Sequence, residues 1–195
     1  DIDWNCDVVP KNINKLLAKC EFDSSGIKKY TNYQEIINHG SPDLVGSATE
    51  SGIHAEIALY CIQHKVNVIV EKPIAMNMKD ARAICKAAEE NDVVVCANHQ
   101  NRFNKSIQKI HEAIEDKRFG KLFHAAAHVR WNRNKGYYDQ AKWRGTWEND
   151  GGCLMNQCIH NADLLRWMMG DEIDEVMAYT DNLNHDYIQA EDLGM

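Results

Sequence analysis

The sequence predicts an α/β chain, with a parallel-sheet layer in residues 1–101 and a part of α+β character in residues 102–195. Three short apolar, β-branched runs carry the first half of that statement: Asp43 to Ala48, Val66 to Val70 and Val93 to Ala97. They are separated by two stretches of helical periodicity, and strand, helix, strand, helix, strand at this spacing reads as two right-handed crossovers in one parallel sheet. Beyond Asn101 the pattern gives way to a helix, a long strand-like run, an aromatic loop and a second helix, which places a domain boundary near Asn101 to Asn104.

Each element has its own signal. The chain opens on Asp1-Ile2-Asp3 with no strand expected before the first helix. That helix is predicted from Val9, Ile13, Leu16, Leu17 and Cys20, with Pro10 tolerable only in a first turn. A short helix around Tyr33, Ile36 and Ile37 closes at Gly40. The run Val66 to Val70 suits a strand buried on both faces, and Glu71-Lys72-Pro73 stops it because proline has no N–H for a continuing ladder. Ile53, Ile57, Tyr60 and Cys61 share one helix face. Ala81, Ile84, Cys85 and Ala88 share another, capped by Asn77 with Asp80 three residues on. Then come a helix through Ile107, Ile110 and Ile114, a strand-like run Lys121 to Trp131, a loop Asn132 to Glu148, a helix from Leu154 through Met168 to Gly170, and a strand Ile173 to Tyr179.

Composition sets limits on partners. Of 195 residues, 44 % are hydrophobic and 26 % charged, as in an ordinary globular protein. The formal charge of −7 disfavours nonspecific nucleic-acid and membrane binding, while leaving room for a local basic pocket. No apolar run approaches the ~20 residues of a membrane span, and no charged leader opens the chain, so a cytoplasmic protein is expected. Seven cysteines without paired spacing read as reduced core thiols, and Cys153, Cys158 and His160 lack the second ligand pair of a metal site, so no metal is expected.

The residues that could carry chemistry cluster at predicted strand ends, where open α/β sheets bind ligands. Lys72 is a cation fixed at such a rim, although a solvating surface lysine is the plainer alternative. His160 follows Asn156 by four residues and precedes Asp163 by three, so the three can share a helix face; a satisfied core histidine is the equal alternative. Tyr137, Tyr138, Lys142, Trp143, Arg144 and Trp147 supply flat faces for a sugar ring and a fork for phosphate or carboxylate, or else form a small core under a long loop. Thr49, His54, His99, Asn101 and Arg102 complete the rim.

The segments SATESGIHAEIAL, VNVIVEKPIAM, NHQNRFN, YYDQAKWRGTW and GGCLMNQCIHNADLLRWMMG, in this order, resemble the Gfo/Idh/MocA family of NAD(P)-dependent sugar oxidoreductases. The resemblance implies a partial Rossmann domain followed by part of a domain with a large open, mainly antiparallel sheet. It also implies NAD as cofactor with NADP as the alternative, a sugar or sugar-nucleotide substrate, and a homo-oligomer, dimer or tetramer. By residue, it implies Lys72 and His160 as the catalytic pair, and Asp1, Thr49, His54, Glu71, Lys72, Trp143 and Arg144 along the cofactor. Arg102, Tyr138, Asn156, Lys72 and His160 are implied to lie at the substrate. No GxGxxG turn occurs in the sequence, and an internal piece of a longer enzyme, weak in NAD binding by itself, is expected. Asn156 stands where many members carry aspartate, and the NQxxH form resembles the branch that oxidises C3 of UDP-linked N-acetyl sugars. A free-polyol dehydrogenase such as one for inositol, and a non-catalytic carbohydrate-binding relative, are the alternatives.

Magnitudes divide the roles. Lysine, at pKa ~10.4, would need a shift of about three units, or roughly 4 kcal/mol, to serve as base near pH 7. Histidine at ~6.5 needs almost none. His160 is therefore expected as general base, with charged Lys72 orienting the hydroxyl and stabilising the developing alkoxide.

Overall fold

The structure is a computed structural model that describes residues 2–170 and 173–195. Asp1, expected at the cofactor ribose, lies outside the described residues.

The first layer is built from short strands that alternate with helices. In order come β1 (Trp4–Cys6), α1 (Pro10–Leu17), β2 (Lys28–Tyr30), α2 (Tyr33–Gly40), β3 (Leu44–Ser47), α3 (His54–Gln63), β4 (Asn67–Glu71), α4 (Met78–Asn91) and β5 (Val95–Asn98). Strands β3, β4 and β5 pair in parallel, with Ser47 beside Val70 and Glu71 beside Asn98, so their carboxyl ends form one rim as expected. Strands β1 and β2 form a separate parallel pair. No strand was expected there because each is three residues long and neither WNC nor KKY is an apolar run.

Helices α3 and α4 pack on each other over one face of the sheet. Ala58, Cys61, Ile62, Val68, Val70 and Ile84 are each 0–1 % exposed there, and burial of each valine, relative to exposure, is worth ~1.5–3 kcal/mol. Asn77 caps α4, its side chain accepting from the N–H of Asp80. Because both helices lie on the same side, the expectation that the Val66 to Val70 strand is buried on both faces fails. Ile69 points the other way and is 38 % exposed, and Leu44 and Val94 on that face are more so. Cys85 and Cys96 are likewise exposed rather than core, whereas burial pushes the Cys61 thiol up to about 11.

The second part contains α5 (Lys105–Glu115), α6 (Lys135–Tyr138), a π-turn at Leu154–Cys158 that runs into α7 (Ile159–Met169), β6 (Thr180–Asp181) and β7 (Leu193–Gly194). Strands β6 and β7 form a small antiparallel pair. The expected strands Lys121 to Trp131 and Ile173 to Tyr179 are not strands in the structure. Val176 and Met177 are 80 % and 96 % exposed, and propensity makes a strand only where a neighbouring backbone supplies the ladder. Tyr179, which exchanges two 2.9 Å bonds with Met195, is where pairing begins. Among the described residues no helix is long and apolar enough to cross a membrane.

Candidate functional site

Proline at position 73 ends the β4 ladder and Lys72 leaves the rim toward the second part of the chain. Its ammonium donates to two oxygens of one residue, the backbone and side-chain carbonyls of Asn156, each at 2.8 Å. Asn156 sits in the π-turn that leads into α7, so this contact ties the rim to the helix that carries His160. Burial pulls the Lys72 pKa down, while the charges of Glu71 and Asp150 oppose the fall.

Asp150 completes the chain of contacts. It is 3 % exposed, accepts the Gly145 N–H at 2.6 Å through one oxygen, and accepts from the Asn156 amide through the other. Burial raises its pKa against those two donors and the charges of Arg144 and Lys72. The amide orientation of Asn156 follows from its neighbours, since an ammonium can only donate and a carboxylate accepts. Asp150 was not legible in the sequence: it lies in a loop, six residues before its partner, outside any helical period. The expected outcome for Asp150→Asn in the full-length protein is a fall in kcat/KM of about tenfold, near 1.4 kcal/mol, because the amide no longer anchors Asn156 against Lys72. Unchanged kcat/KM over the whole pH range would make Asp150 a purely structural residue.

His160 is 7 % exposed and its buried Nδ1 has no hydrogen-bond partner among the described residues. Burial pulls its pKa below the ordinary 6.5, and the charges of Lys72 and then His99 pull the same way against Glu71 and Asp163. The imidazole and the ammonium thus share one neighbourhood. Gly151 and Gly152 precede the π-turn, and a Cβ on Gly152 would overlap the Glu191 carboxylate, so that glycine permits a close approach within the fold.

Several expected site residues also have partners within the fold. His54 is 1 % exposed, with its ring nitrogens facing the carbonyls of Pro73 at 2.8 Å and Thr49 at 3.1 Å. It locks the turn after β4 to the loop after β3. Arg102 donates from Nε and Nη2 to Asp163 at 2.7 and 2.5 Å, and its guanidinium lies 5.2 Å from the Trp167 ring. It fastens the rim to α7. Glu71 accepts from Asn98 at 2.5 Å and from the Lys72 N–H at 3.3 Å, which holds it at the rim. Thr49 is exposed at the end of β3. Tyr138 lines a small cavity with Asp150 and Asn156, its hydroxyl pushed up to about 12 by burial and then by the Asp150 charge. The Arg144 guanidinium lies 4.7 Å from the Trp143 ring.

A nicotinamide fits the reacting end of this site. Among the described residues the buried Ser47 hydroxyl at the tip of β3 and the buried Nδ1 atoms of His160 and His99 have no hydrogen-bond partner, and Thr49, two residues after Ser47, is exposed. Such atoms suit the ribose hydroxyls and carboxamide of the cofactor.

Two family descriptions match the chain: an oxidoreductase family with an NAD-binding Rossmann fold over residues 9–99, and the GFO/IDH/MocA C-terminal domain over residues 107–195. Myo-inositol 2-dehydrogenase of Thermotoga maritima is 26 % identical over 151 residues, 77 % of this chain and 43 % of that protein. The WlbA dehydrogenase of Bordetella pertussis, solved with NADH and UDP-GlcNAcA, is 36 % identical with a TM-score of 0.88, covering 98 % of this chain and 57 % of that one. The Chromobacterium violaceum WlbA, in complex with the same two ligands, is 33 % identical with a TM-score of 0.90, covering 100 % and 54 %. The chain therefore spans about half the length of the proteins it matches. With both halves matched in order and the rim, the lysine turn and the histidine helix in place, the chain belongs to the Gfo/Idh/MocA oxidoreductase family.

Proposed function

We propose that the whole protein is an NAD-dependent dehydrogenase of a nucleotide-linked sugar, oxidising C3 of a UDP-N-acetyl sugar or its uronic acid. The observation that carries this reading is the double contact of Lys72 with Asn156, four residues before His160. It ties the rim cation to the turn that runs into the helix carrying His160, which supports a lysine and an imidazole serving one reacting hydroxyl. The likeness to two WlbA enzymes bound to NADH and UDP-GlcNAcA supports the substrate class.

The division of labour follows from charge. When bound, NAD accepts the hydride released from the carbinol carbon. His160, its pKa held below 6.5, is unprotonated at neutral pH and takes the hydroxyl proton. Lys72, which the carbonyls of Asn156 hold in place, donates to the same oxygen as negative charge develops on it. Glu71 at the rim and Asp150 behind Asn156 offset the cost of keeping that ammonium half-buried. Thr49 and the Ser47 hydroxyl would line the nicotinamide end, and Tyr138 and Asn156 the sugar. Residues 1–101 serve as the cofactor part and 102–195 as the substrate part.

The relative from Thermotoga maritima favours a second reading, a dehydrogenase of a free cyclitol. Initial rates of NADH formation by the full-length protein separate the two. UDP-GlcNAcA is expected to give a kcat/KM at least a hundredfold above that of myo-inositol, a margin of about 2.7 kcal/mol. Equal or reversed values would replace the sugar-nucleotide reading with the cyclitol one.

A further inference from the structure

Arg133, Tyr137 and Arg144 form a cationic group, of which only Arg144 has an expected role, along the cofactor. The Arg133 guanidinium lies 4.9 Å and the Arg144 guanidinium 4.3 Å from the Tyr137 ring centroid. Two like charges therefore meet over one phenol. Among the described residues, neither has a carboxylate oxygen within 4.0 Å, and the Nε atoms of both are buried without partners. Asp150 feels the Arg144 charge, but its oxygens are taken by Gly145 and Asn156. Cations gathered without counter-charge in a half-buried place are costly unless an anion completes them.

The hydrogen bonds give the group a direction. Arg133 donates to the Gln157 side-chain oxygen at 2.9 Å, and because arginine only donates, this fixes the Gln157 amide so that its nitrogen donates to the Tyr137 hydroxyl at 3.0 Å. Arg144 donates to the same hydroxyl at 2.5 Å. The phenol oxygen thus receives two bonds, and its own proton has no acceptor among the described residues. Gln157 follows Asn156, the residue that holds Lys72, so the group lies one residue from the reacting end. Arg133 also donates to the Asn132 carbonyl at 3.3 Å, and two guanidiniums with an O–H gathered around one ring suit a planar or tetrahedral oxyanion.

We infer that Arg133, Tyr137 and Arg144 clamp an oxyanion carried by the substrate beside the reacting hydroxyl. The inference rests on the sugar-nucleotide reading and deepens it: the anion is either the carboxylate of a sugar acid or the diphosphate that links the sugar to its nucleoside. Oriented by the clamp, the sugar ring would present one hydroxyl to Lys72 and His160, and a neutral polyol would gain nothing from it.

Calorimetric titration of the full-length protein, saturated with NADH, tests this. The probes are UDP-GlcNAcA, UDP-GlcNAc, free N-acetylglucosaminuronic acid and myo-inositol, each against wild type, Arg133→Gln, Arg144→Gln and Tyr137→Phe. The two arginine variants are expected to weaken UDP-GlcNAcA at least tenfold and inositol less than twofold, with Tyr137→Phe costing about threefold. Arg133→Lys, which keeps the charge without the fork, should recover part of the loss. Equal weakening of UDP-GlcNAc places the diphosphate in the clamp; weakening confined to the two uronates places the carboxylate there. The clamp is overturned if wild type binds none of the three anionic probes, if no variant weakens them, or if inositol and NADH weaken in parallel. Tight anion binding by a wild-type protein that reduces no NAD with any of them would instead overturn the dehydrogenase reading and leave the clamp standing.

Discussion

Replacing Lys72 with methionine in the full-length enzyme is expected to lower kcat by about 10²–10³-fold while NADH binding changes little. Methionine keeps the length of the stem and removes the charge, so the lost quantity is the donor aimed at the developing alkoxide. Two carbonyl oxygens of Asn156 then lose their partner, which costs ~1–3 kcal/mol of local stability and makes a check of folding by circular dichroism part of the experiment. The decisive comparison is kcat against the dissociation constant for NADH. A variant that turns over normally at saturating cofactor but binds NADH poorly would make Lys72 a cofactor clamp, and the alkoxide role would fall.

Replacing His160 with alanine has the other large effect, a loss of about 10²–10⁴-fold in kcat for oxidation. The pH dependence carries the sign of the argument. Imidazolium cannot accept a proton, so the wild-type rate should fall as pH drops through the His160 pKa. Because burial and then the Lys72 charge hold that pKa below 6.5, the midpoint of the fall should lie on the acid side of 6.5. In the alanine variant this acidic limb should vanish, leaving a residual rate that is flat across it. A variant that keeps the same limb would show that another group, such as the neighbouring His99, takes the proton.

Much of the first layer was legible because its signals are local. The α3 and α4 faces, the Asn77 cap and the ends of β3, β4 and β5 follow from periodicity and from a proline that cannot continue a ladder. Which face of β4 is covered did not follow. The exposure of Ile69 depends on both helices packing on the same side, a tertiary fact absent from the pattern VNVIV. The runs Lys121 to Trp131 and Ile173 to Tyr179 have strand composition, yet a strand also needs a neighbour, and composition does not name one.

The same split runs through the site. Lys72, Asn156 and His160 stand out by position at a rim and by spacing on a helix, and the structure brings them into one neighbourhood. His54 and Arg102 stand out as polar residues at that rim, and their side chains are engaged within the protein, one between two carbonyls and the other on Asp163. Nothing local distinguishes a polar side chain that serves the fold from one that serves a ligand. Asp150 and Arg133 do not stand out in the sequence for the converse reason, since each acts through a partner that only folding supplies.

The claim that most of the mechanism depends on is that the ammonium and the imidazole act on one oxygen in one step, and a double-mutant cycle measures that coupling. Groups that work as a unit are strongly non-additive. The variant carrying both Lys72→Met and His160→Ala is therefore expected to have a kcat/KM within about tenfold of the worse single variant. A double variant whose loss equals the product of the two single losses would show that the two side chains act independently and would contradict the shared site.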